Sequence, residues 1–82
     1  MPKFMDVHTG MTGIDQDGLV KAHKADTDIE NEEGVHFLNA WADPKSGKVF
    51  CLSEGPDVEA VKRVHDRAGH AADEIYEIAL EV

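Results

Sequence analysis

The chain has 82 residues, with five histidines, one cysteine and seventeen acidic against eight basic side chains, a formal net charge of −9. That length provides one small core and no second domain, and a lone Cys51 excludes an internal disulfide to reinforce it. The negative charge repels phosphate backbones and anionic lipid, which argues against nucleic acid and membrane surfaces as partners and leaves cations attracted.

The opening Met-Pro-Lys-Phe has no basic start followed by an apolar run, and no segment approaches the roughly 18 apolar residues of a membrane span. A cytoplasmic protein with a reduced thiol is the expectation. Lys3 to His8 alternates polar and apolar residues and reads as a first strand, ended by Thr9-Gly10. Residues 15 to about 31 read as a helix: Asp15 is the N-cap, Leu19, Ala22, Asp26 and Ile29 recur at helical spacing, and Gly34 lies beyond the end. Val35 to Asp43 and Lys48 to Glu54 are strand-like. Pro44-Lys45-Ser46-Gly47 between them makes a hairpin turn, with proline fixing φ and glycine allowing it to be positive. Gly55-Pro56-Asp57 starts a second helix with the stripe Val58, Val61, Val64 and Ala68, closed by Gly69. Glu74 to Val82 alternates as a last strand. The order predicts an α+β fold of ferredoxin-like βαββαβ type, a four-stranded antiparallel sheet of order 4-1-3-2 with both helices on one face.

Alternation assigns Met5, Val7, Leu38, Ala40, Val49, Cys51, Ile78 and Leu80 to the helix-covered face. The uncovered face then holds Phe4, Asp6, His8, Phe37, Asn39, Trp41, Phe50, Leu52, Glu54, Ile75 and Glu77. Four large aromatics left bare to water predict an interface, and two such sheets packed face to face would form a homodimer of the dimeric α+β barrel kind. Marginal size argues the same way.

Five imidazoles in a short acidic chain suit zinc, copper or nickel. In the predicted sheet order His8, His65 and His70 converge at one end, with Asp6 and Glu77 near them; His36, opposite Glu54, forms a second and more open site at the other end. These six residues are the candidate metal ligands. His23 and Asp26, three apart on the first helix, read as a structural pair outside the site. Cys51 reads as a small hydrophobe and Trp41 as core or interface. No HExxH, CxxC or Gly-rich phosphate loop occurs, and Ser53 has no orienting carboxylate for nucleophilic work. The enzymatic alternative is a small monooxygenase or isomerase that uses His8 with Asp6 or Glu77 in an inter-sheet cavity, an expectation carried by fold analogy.

The segments KFMDVHTG, KAHKADTDIENEEGVHF, WADPKSGKVFCLSEGPDVEAVKRVH and RAGHAADEIYE span nearly the whole chain. They resemble a family of small bacterial proteins that includes a nickel-responsive, nickel-binding member in soil actinobacteria. The resemblance implies a ferredoxin-like homodimer that binds Ni2+ through surface histidines and carboxylates and limits nickel toxicity by sequestration. Members of that family commonly carry proline where this chain has Ala71, a change in the turn after His70 that leaves the candidate ligands in place.

Overall fold

Each element begins and ends for a local reason. The computed structural model describes residues 1–82 in the order β1 (Lys3–His8), α1 (Gln16–Thr27), a 3-10 turn (Glu30–Glu33), β2 (His36–Asp43), β3 (Lys48–Glu54), α2 (Val58–Ala68) and β4 (Glu74–Glu77). Asp15 caps α1 by accepting from the Gly18 amide at 2.8 Å, and Asp57 caps α2 by accepting from Ala60 at 2.9 Å. Gly69 ends α2 in the left-handed region. Gly47 closes the β2–β3 turn at φ +76°, and a Cβ there would come within 2.6 Å of the Thr12 amide nitrogen. That close approach lets the turn hold the loop after β1, through Met11 N–H to Gly47 O at 2.9 Å and Gly13 N–H to Pro44 O at 3.0 Å.

The sheet order is β2-β3-β1-β4 with every neighbouring pair antiparallel, which is the predicted ferredoxin-like arrangement. The predicted first helix is divided: α1 stops at Thr27, and the remainder tightens into the 3-10 turn, whose Glu30 carboxylate accepts from the Phe37 amide at 2.7 Å. The last strand stops at Glu77, so Leu80 and Val82 are exposed and are not core. No helix is long and apolar enough to cross a membrane.

The faces of three strands differ from the expectation: in β4, Ile75 and Glu77 lie on the helix side with Phe4 and Asp6, and Tyr76 lies with Met5 on the uncovered face. Phe4, Asp6 and His8 of β1 turn toward the helices, and Met5 and Val7 face the other way; Asp6 pairs with Cys51 and His8 with Val49 across β3. β2 carries a bulge between Phe37 and Asn39. The extra residue switches the parity of the strand, so Phe37 and the later Ala40 and Ala42 all face inward, while Leu38 and Trp41 are exposed. Phe4, Val35, Phe37, Val49 and Cys51 pack with Ala60, Val61 and Val64 of α2 as the core. The uncovered face keeps Trp41 and Phe50 of the four predicted aromatics, joined by Met5, Leu38, Leu52 and Tyr76.

Candidate metal centre

Asp6 and His8, two apart on β1, project side by side toward the helix layer. His65 comes from the last turn of α2, and Asp26 from the last turn of α1. His70 is returned to the same place by the left-handed Gly69, with its amide bonded to the His65 carbonyl at 3.1 Å. Two helix C-termini therefore end at this cluster, and the partial negative charge of each favours a cation there. The three imidazoles stand 4.6 to 5.4 Å apart by ring centroid.

The groups are buried: Asp6 and His65 are 0 % exposed, Asp26 1 % and His8 4 %. Ionisable groups this deep cost several kcal/mol each unless they are paired or ligating. His65 lies between both carboxylates, with Nε2 donating to Asp6 Oδ2 at 2.8 Å and Nδ1 3.1 Å from Asp26 Oδ1. His70 Nε2 donates to that same Asp26 oxygen at 2.8 Å. Burial opposes a charged His65, but the flanking Asp26 and Asp6 outweigh it and raise its pKa to about 9. Burial likewise opposes ionisation of Asp6 and Asp26, and their imidazole partners more than offset this, holding both below the usual carboxylate range. Burial, then the charges of Asp6 and Asp26, push the Cys51 thiol well above its ordinary range, so Cys51 stands here as a protonated thiol.

His8 behaves differently. Its Nδ1 lies 3.1 Å from the Ala71 carbonyl, which can only accept, so Nδ1 carries a proton, and in the neutral imidazole Nε2 presents a lone pair. That lone pair sits 2.9 Å from Asp6 Oδ1, yet the two atoms are not aligned as a hydrogen bond. Two donors bound at right angles to one ion, each ~2.1 Å from it, lie ~3.0 Å apart with lone pairs ~45° off the line joining them. The Asp6–His8 pair has that spacing, and the backbone carbonyl on its far nitrogen is the usual support for a ligating histidine. Asp6, His8, Cys51 and His65 offer donor atoms within 4.8 Å of one another, as do Asp26, His65 and His70.

The structure thus brings together four of the six candidate residues, Asp6, His8, His65 and His70. His36 is exposed opposite Glu54 at the start of β2, and Glu77 is exposed opposite Phe4; neither reaches the cluster. The histidines at the cluster are buried or half-buried and not on the surface. Asp6 and His8 face the helices, so they do not form the inter-sheet pair of the enzymatic alternative. Asp26 does not pair with His23: it binds His65 and His70, and His23 Nδ1 is buried with no protein partner. The signal for Asp26 was present in its position, since a carboxylate at an apolar-stripe spacing on a helix is a buried charge that needs partners.

Residues 4–78 match the family described as nickel responsive protein SCO4226-like. The fold superposes with a TM-score of 0.96 on the crystal structure of SCO4226 from Streptomyces coelicolor A3(2), at 61% identity over 98% of this chain and 99% of that one. A comparison with curated proteins finds no match. With a family match across nearly all of its length and this structural likeness, the chain belongs to the SCO4226-like family of nickel-responsive proteins.

Proposed function

We propose that this protein binds a divalent transition metal, nickel in keeping with its family, at the Asp6–His8–Asp26–His65–His70 cluster. Its role is to sequester the ion in the cytoplasm and limit its toxicity. The observation that carries the reading is the His8 Nε2–Asp6 Oδ1 contact: a ring nitrogen and a carboxylate oxygen 2.9 Å apart, not aligned as a hydrogen bond and spaced to share an ion. Imidazole and carboxylate donors suit nickel, and zinc, copper and cobalt compete for such a set.

Isothermal titration of Ni2+ into metal-free protein tests it. His8→Ala and His70→Ala are expected to weaken binding at least about ten-fold, the size of effect seen when support of a metal ligand is removed. His36→Ala and Glu77→Ala should bind as wild type. Loss of binding in His36→Ala with none in His8→Ala would move the site to the other end of the sheet.

The active form in this reading is a homodimer joined through the uncovered sheet face. Trp41, Leu38 and Tyr76 are 47%, 43% and 54% exposed there, a cluster of large apolar side chains that water solvates poorly. Trp41→Glu is expected to shift sedimentation velocity from dimer to monomer, and an unchanged profile would remove this face as the interface.

A further inference from the structure

Both carboxylates of the cluster are buried, and its one half-buried member is His70. Two cavities adjoin along α1. The inner one, whose lining includes His8, Asp26, Cys51 and His70, has a free volume of about 10 Å³. The outer one is a groove of about 400 Å³ along α1 and β2, open to solvent beside Gln16, Lys24 and Thr27. Leu19, His23 and Ala40 line both. These three residues join the outer groove to the cavity that touches the cluster.

A space near 10 Å³ holds about one water molecule, so a cation with its full hydration shell cannot enter it. The ion must exchange waters for protein donors as it passes, because an unligated charge against apolar walls costs many kcal/mol. Leu19 and Ala40 supply no donor. His23 does: it is half-buried and its Nδ1 is engaged by no protein group. It belongs to neither close-packed donor group.

We propose that His23 is the exchange ligand of the metal's entry route, taking the ion from the outer groove and passing it to His8, His70 and Asp26. The inference rests on the metal-binding reading above. A residue used only in transit lowers the barrier for entry and exit equally, so it alters rates and leaves affinity unchanged.

The test is stopped-flow mixing of metal-free protein with Ni2+, paired with release from the loaded protein into excess EDTA, for wild type, His23→Leu and His23→Gln. His23→Leu should slow uptake and release alike, by about ten-fold or more, as loss of one stabilising contact at the barrier requires. His23→Gln, which keeps a weaker donor on a good helix former, should fall between, and its titration Kd should match wild type. Unchanged rates in both variants would overturn the proposal. So would a Kd raised about ten-fold in His23→Gln, which would make His23 a ligand of the bound state, a difference of ~1.4 kcal/mol. Should wild type itself bind no nickel, the failure belongs to the metal-binding reading and is seen before any variant is mixed.

Discussion

Replacing Asp6 with alanine is expected to cost about 3–5 kcal/mol of folding stability, the range for removing one partner of a buried charge pair, and to abolish metal binding. The carboxylate accepts from His65 at 2.8 Å and lies 2.9 Å from His8. Without it, an imidazolium with no solvent exposure keeps only Asp26, and His8 loses the oxygen with which it would share an ion. A domain of this length has a total stability of ~4–12 kcal/mol, so the loss is a large fraction of it. Urea denaturation of metal-free protein measures the effect. The double variant Asp6→Ala/His65→Leu removes both charges and should recover part of the loss, because the penalty comes from the unpaired partner. A single variant within about 1 kcal/mol of wild type, the size of an ordinary surface substitution or less, would show that Asp6 is not the keystone of the cluster.

Stability of the metal-free protein should also fall steeply on the alkaline side of neutrality. His65 has a folded pKa raised from 6.5 to about 9, so the folded state holds its proton more tightly than the unfolded chain. Its contribution is complete below about 6.5 and is lost as pH rises through about 9, amounting to ~3 kcal/mol across that window. Cys51 acts in the same direction above pH 9, since its thiol ionises at its ordinary pKa of 9.0 only when the chain is unfolded. Asp6 and Asp26 act at the other end: with folded pKa values below 3.8, their contribution is present above that value and is lost as pH falls through the lowered ones. The stability maximum is therefore expected between about pH 4 and 6.5, and urea midpoints from pH 3 to 10 trace it. A midpoint that stays flat from pH 6.5 to 9 would mean that His65 carries no charge between its two carboxylates.

The comparison of sequence with structure is most informative at β1. Its apolar residues occupy both phases of the alternation, Phe4 in one and Met5 and Val7 in the other, and the reading that keeps Asp6 and His8 in water is the ordinary choice. The chain takes the opposite phase because His65, 59 residues away from Asp6, arrives from α2 to pair with it. Its partner Asp26 arrives from α1. A strand cannot announce partners that distant. β2 fails for another reason: the bulge after Phe37 reverses parity within one strand, and no residue there marks it as a glycine would. The convergence of His8, His65 and His70 at one sheet end was legible because it needed element order alone, whereas the inclusion of Asp26 needed side-chain direction and the separation of Glu77 needed the β1–β4 register, which sets it opposite Phe4.

The sequence by itself determined the order of the elements, how they connect and most of their ends, though not the end of α1 or of β4. Asp15 and Asp57 cap the helices, Pro44 to Gly47 turns the hairpin and Gly69 ends α2, and these are local preferences acting over a few residues. From that order the ferredoxin-like topology follows. Only the tertiary structure decided which face of β1 is inside, and so placed Asp6 and His8 in the protein interior and not between two sheets. The physical reason is that burying a carboxylate is unfavourable for the strand alone and becomes acceptable only when imidazoles from two other elements meet it there.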